Sequence, residues 1–112
     1  MTRSYSVTLA PTAFNALAKV RDRKTRASIA KEIDGLAQDP SRKGKPLEAP
    51  PLEGLHAARV VRERYRILYE IDEEGRRVVV LFVGERRPGS QRDVYARAAR
   101  LLAVLLQGGS RH

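Results

Sequence analysis

The 112-residue sequence contains no cysteine, which removes disulfides, thiolate nucleophiles and cysteine metal sites together. With two histidines as the remaining nitrogen ligands, a zinc site has almost nothing to draw on, and neither a metal nor a cofactor is expected. His56 and His112 read as surface residues rather than catalytic ones. No P-loop or dinucleotide fingerprint is present, and no internal repeat is visible. No apolar run approaches the ~20 residues that cross a bilayer. The first stretch, "MTRSYSVTLAPTAF", carries one arginine and alternates polar with apolar, unlike a signal peptide. These absences point to a soluble, cytoplasmic protein with no membrane partner. Lysine is also missing from the back half: all five lysines lie before residue 46.

What is present fits one domain, with 42% hydrophobic residues available for a core. The net charge of +9 favours polyanionic partners, nucleic acid first. The choice of base sharpens that expectation. From residue 55 onward every permanently cationic side chain is arginine. Arginine presents a planar fork of donors matched to phosphate and carboxylate oxygens. A solvated arginine-rich surface is the competing explanation.

"SYSVTLA" alternates Tyr5, Val7 and Leu9 with polar residues, the period of a half-buried strand. Pro11 suits the first turn of a helix. Phe14, Leu17 and Ala18, then Ile29, Ala30, Ile33, Leu36 and Ala37, recur at helical spacing until Asp39-Pro40. The spacing predicts a helical hairpin over 11–38. Residues 39–54, rich in proline, read as a loop anchored on the core by Leu47 and Leu52. "HAARVVRE", "YRILYEID" and "RRVVVLFVGERR" read as three strands, with "DEEG" as a turn and Gly75 suited to positive φ. "VVVLFV", apolar on both faces, belongs at the centre of the sheet under helices on at least one side. "SQRDVYARAARLLAVLLQ" carries Val94, Ala98, Leu101, Leu102 and Leu105 at helical spacing before Gly108-Gly109. The expected order is β-α-α-β-β-β-α: an α+β fold with a helical hairpin on a small, mostly antiparallel sheet.

Strand alternation places Tyr65, Ile67, Tyr69 and Ile71 on one face and Arg66, Leu68 and Glu70 on the other. The apolar set should face the helices and leave Arg66 on the opposite, concave face. Arg59 lies one strand earlier and Arg86 where the central strand runs out. Three guanidiniums from adjacent strands are thus positioned to meet one phosphate-sized anion, with Tyr95 early in the last helix. Each has a structural alternative. Tyr95 could pack at the helix–sheet seam, Arg66 could pair with Glu63 or Glu70, and Arg86 and Arg87 could be a solvated strand end.

The chain resembles the RelE/ParE superfamily of bacterial type II toxins, and the resemblance covers nearly all of it. It is carried by "YSVTLAPTAFNAL", "IAKEIDGLAQDP" and "ARVVRERYRILYEIDEEGRRVVVLFVGERR", followed by "DVY". The resemblance implies either of two activities. RelE-like members are metal-independent endoribonucleases that cut mRNA on the ribosome; ParE-like members inhibit DNA gyrase by binding it. The RelE-like branch is the first choice, and its pattern, carried over by position, implies Arg59, Arg66, Arg86 and Tyr95. Arg66, Arg86 and Tyr95 are expected to be catalytic, and Arg59, with the neighbouring Arg62 and Arg87, substrate-binding. An unperturbed tyrosine titrates near pH ~10, so Tyr95 would act as base only with its pKa lowered by the arginines. Two departures stand out: Ala57 where a basic residue is expected, and "PGSQ" lengthening the loop before Tyr95. The resemblance also implies a cognate antitoxin, acidic to match the basic surface. It would dock in the groove between hairpin and sheet or on the leucines of the last helix, Leu101, Leu102, Leu105 and Leu106.

Overall fold

A computed structural model describes the backbone of residues 4–109 and the side chains of residues 4–104. The elements run β1 (Ser6–Leu9), α1 (Pro11–Ala18), α2 (Arg23–Gly35), α3 (Pro40–Lys43), β2 (Lys45–Pro46), β3 (His56–Val60), β4 (Tyr65–Asp72), β5 (Arg77–Glu85) and α4 (Val94–Gly109). The strands form one sheet in the order β1-β5-β4-β3-β2. Only β1 runs parallel to its neighbour, β5; the other pairings are antiparallel. The expected mixed α+β fold is present, with α3 and β2 added inside the segment read as loop. Pro40 opens α3 at a position where its missing N–H is not needed. The Tyr69 hydroxyl donates to the Pro40 carbonyl at 2.6 Å, tying α3 to the sheet. Leu47 and Leu52 pack as anchors on the core.

Pro11 opens α1, and the Asp22 carboxylate caps α2 by accepting from the Thr25 N–H and hydroxyl. The hairpin packs on one sheet face through Ala13, Ile29, Ile33 and Leu36, against Ile67, Tyr69, Val78, Val80 and Val83. The inward face of α1 is Ala13, Ala16 and Leu17, continued past the helix end by Val20; Phe14, expected inside, is 63% exposed. With that stripe turned to β5, the helical step from Ala13 carries Phe14 off the buried face.

The opposite sheet face is covered too. Ala57, Leu68 and Phe82 pack against Val94 and Ala98 of α4. Arg66 therefore shares its face with a helix, where a helix-free concave surface was expected. The leucine stripe continues through the half-buried Leu101 and Leu102; the side chains of Leu105 and Leu106 lie outside the described residues. Among the described residues no helix is long and apolar enough to cross a membrane.

Two turns differ from expectation. In the β4–β5 connection the left-handed residue is Arg76, at φ 54°, and Gly75 keeps negative φ. Glycine is needed there for space, since a Cβ would meet Asp72 Oδ2 at 2.5 Å, and that carboxylate binds the Gly75 N–H and the Arg77 guanidinium. The β3–β4 connection has three successive left-handed residues, Val61, Arg62 and Glu63 at φ 52°, 54° and 67°. None is glycine, and each stores roughly 1–2 kcal/mol of steric strain.

Glycine at position 84 admits α4. A Cβ there would lie 3.1 Å from Val94 Cβ and Cγ2. Gly84→Val is expected to overpack this contact and lower the unfolding free energy by about 1–3 kcal/mol, measured by urea denaturation. An unchanged midpoint would show that α4 shifts freely.

Candidate functional site

A β-bulge determines which residues reach the site. Leu68 pairs with Phe82 and Tyr69 with Val80, leaving Leu81 as an extra residue on β5. Before the bulge Val78 and Val80 face the helical hairpin; after it Val83 does, and Phe82 turns to α4. Without the extra residue, period-two alternation would send Gly84 and Arg86 to the hairpin face. With it, both share the α4 face with Arg66.

On that face Arg59, Arg66 and Gly84 occupy consecutive register positions across β3, β4 and β5. Arg86 lies two residues past Gly84, a diagonal of about 7–8 Å from Arg66 between backbones. The ladder extends to it, since its N–H donates to the Arg64 carbonyl at 2.7 Å. The Arg86 guanidinium carbon sits 4.9 Å from the Tyr95 ring centroid, within range of a cation–π contact. Its Nη1 donates to Asp93 Oδ1 at 2.6 Å.

Asp93 organises this corner. Its Oδ1 also accepts from the Arg87 N–H, and its Oδ2 accepts from the Tyr95 N–H at 3.1 Å. The second bond, with the Arg97 N–H on the Asp93 carbonyl, is an N-cap for α4. Burial works to raise the pKa of Asp93, but hydrogen bonds from Arg86 and Arg87 outweigh it and hold the carboxyl below its usual range.

The other arginines are held differently. Arg66 is buried, and its Nη1 donates to the Glu63 carbonyl at 2.6 Å, so its partner is backbone and not a carboxylate. Arg59 pairs with Glu63 Oε1 at 2.6 Å. Both side chains of that pair are more than half exposed, and such pairs contribute little and separate readily. The left-handed turn thus turns one residue, Glu63, onto both arginines.

The structure therefore brings Arg86 and Tyr95 into contact and sets Arg59 beside Arg66 on the same face. It does not bring in the other two. Arg62 is exposed in the turn, and Arg87 points away from Tyr95, with its guanidinium on Glu85 Oε1 at 2.9 Å. Ala57, where the resemblance implied a base, is buried against Leu68, Phe82 and α4, a position with no room for a solvated charge. His56 stacks on Tyr69 at 5.6 Å, away from the arginines. Among the described residues no cluster of three or more His, Asp or Glu could hold a metal ion. Sequence reasoning missed Asp93 as the anchor. An aspartate one residue before a helix, seven after a strand-end arginine, was the available signal.

A family model described as "ParE toxin of type II toxin-antitoxin system, parDE" matches residues 7–88. The chain is 35% identical over 82 residues to Toxin RelE of Mycobacterium tuberculosis, spanning 73% of this chain and 81% of that protein. It is 38% identical over 93 residues to Toxin RelG of the same organism, spanning 83% and 98%. Among solved structures it resembles the crystal structure of the toxin–antitoxin complex RelBE2 from Mycobacterium tuberculosis. That likeness has a TM-score of 0.66 at 36% identity, over 74% of this chain and 99% of the other.

The lowered pKa of Asp93 has a signed consequence. The ionised cap stabilises the fold above the unfolded-state value near ~3.9, and the contribution disappears as pH falls through the lower folded value. Asp93→Asn is expected to cost about 1.5–3 kcal/mol at pH 7, the worth of hydrogen bonds to a charged group. The gap to the parent protein should close as the medium is acidified. Thermal unfolding across pH checks this; a pH-independent gap would remove the charge from the explanation.

Proposed function

The chain belongs to the ParE toxin family, within the RelE/ParE superfamily of type II toxins, and from that premise we propose that it is a ribosome-dependent mRNA endoribonuclease. The observation that carries this reading is Arg86, pinned by Asp93 and set 4.9 Å from the Tyr95 ring, on one face with Arg59 and Arg66. Nη1 alone is committed to Asp93, so the remaining donors of the five-N–H fork are available to an anion. A guanidinium already oriented costs no reorganisation when charge develops beside it.

In the proposed reaction the RNA 2′-oxygen loses its proton and bonds to the adjacent phosphorus. The P–O5′ bond breaks, leaving a 2′,3′-cyclic phosphate, and the departing 5′-oxygen takes up a proton. Arg66 and Arg86 stabilise the charge on the phosphoryl oxygens, and Arg59 assists after leaving its exposed pair with Glu63. Tyr95 orients the 2′-hydroxyl or accepts its proton. The ribosome supplies substrate positioning, so the free protein is a poor nuclease. The setting is cytoplasmic.

A cognate antitoxin is the second partner; the solved relative at 36% identity is itself a toxin–antitoxin complex. A groove of about 670 Å³ between α1 and α4 suits an acidic amphipathic segment. Ala16, Val20, Val83, Leu101 and the 62%-exposed Val104 supply apolar lining, and Lys19, Arg21, Arg97 and Arg100 add positive charge.

The ParE description of the family model, whose match ends at residue 88, before Asp93 and Tyr95, favours DNA gyrase inhibition as the second reading. Arg86→Ala and Arg66→Ala are each expected to slow ribosomal mRNA cleavage by about 10²-fold or more, with Arg59→Ala milder. Full toxicity in both variants, with inhibition of purified gyrase retained, would replace the nuclease reading with the gyrase one.

A further inference from the structure

Beside the Arg86 corner lies a second basic site. A cavity of about 400 Å³ is lined by Glu85, Arg87, Gln91, Arg92, Arg97 and Arg100. The bulge-set alternation that turns Arg86 toward Tyr95 turns the next residue, Arg87, the other way. The helix repeats the division: Tyr95 and Arg97 are two residues apart and so lie on opposite sides of α4, while Arg97 and Arg100 share a side.

The cavity is strongly cationic. Its four arginines face one carboxylate, Glu85, which Arg87 already holds at 2.9 Å. Arg100 donates to the Gln91 carbonyl at 2.8 Å. Among the described residues the guanidiniums of Arg92 and Arg97 have no hydrogen-bond or ion-pair partner, and both residues are exposed. Arg97 and Arg100 also edge the groove between α1 and α4, but no apolar side chain lines this cavity. A docked protein segment would find nothing to bury there, whereas interface cores are apolar. A sugar–phosphate backbone needs only charge and donors.

We propose that Arg87, Arg92, Arg97 and Arg100 form a phosphate subsite for an RNA backbone, distinct from the corner of Arg66, Arg86 and Tyr95. The proposal deepens the nuclease reading and rests on it for the identity of the strand. One strand passing over the first turn of α4 engages both sites, which stand about one helix width, ~10 Å, apart. The subsite grips phosphates flanking the scissile one and contributes binding, not chemistry. The phosphates belong either to the message or to ribosomal RNA.

The test uses the intact protein and a short fluorescent single-stranded RNA, 2′-O-methylated to prevent cleavage. Arg97→Gln/Arg100→Gln is compared with a charge-matched control on α2, Arg23→Gln/Lys24→Gln, both exposed. With two phosphates no longer neutralised, the slope of log affinity against log salt should become shallower by about 1.4 in the first variant. Affinity at low salt should fall about tenfold, and the control should keep the parent slope. A loss on free RNA assigns the phosphates to the message; a loss seen only in ribosome binding assigns them to ribosomal RNA. An unchanged slope with both RNA and ribosomes overturns the subsite, as does an equal loss in the control. So does weakened binding to polyglutamate with RNA binding intact, which would make the cavity an acceptor of acidic protein. If the variant loses RNA affinity but no form of the protein cleaves message, the subsite stands and the nuclease reading falls.

Discussion

The Asp93 carboxylate is the constraint from which the arrangement of the site follows. Within one buried group it accepts from the Arg86 guanidinium, the Arg87 N–H and the Tyr95 N–H. Strand end and helix start are thereby docked on the same two oxygens. A carboxylate this enclosed is tolerable only with its lone pairs satisfied, so its position is determined by three donors from three residues. The loop between Arg86 and Asp93 is bridged by these bonds from both of its ends. Arg86 and Tyr95 keep their relation because they share an anchor.

The second constraint is one of parity. The extra residue at Leu81 divides β5 into a first half serving the hairpin core and a second half whose even-numbered residues serve α4. The core pays no penalty in burial, because "VVVLFV" is apolar at every position and either phase buries a hydrophobe. A strictly alternating strand would have turned polar residues into the hairpin core beyond the bulge. The uniform run therefore lets the strand change phase before it delivers its arginines.

Much of this was legible in the residues. The hairpin, the three long strands and the last helix follow from periodicities of 3.6 and 2, strengthened by Pro11 and Asp39-Pro40 as punctuation. The adjacency of Arg59 and Arg66 follows from antiparallel pairing across a short turn. What was not legible is what depends on tertiary packing. The bulge leaves no trace in a run where every residue is apolar. The exposure of Phe14 is set by the rotation of α1 that puts Ala13, Ala16 and Leu17 against the core. Arg76, and not Gly75, takes the left-handed position, while Gly75 leaves room for the Asp72 carboxylate where a Cβ would stand. The pairing of Arg66 with a main-chain carbonyl depends on a turn whose residues, Val61, Arg62 and Glu63, carry no turn signature.

That turn also leaves stability unclaimed. Three side chains are held where glycine or asparagine would sit without strain. Val61 contributes packing and Glu63 reaches the arginines, but Arg62 is exposed and meets the strain with no packing in return. Position 62 is thus a natural handle for engineering. An asparagine there would relax the hairpin and stiffen the scaffold beneath Arg59 and Arg66 while leaving both guanidiniums in place.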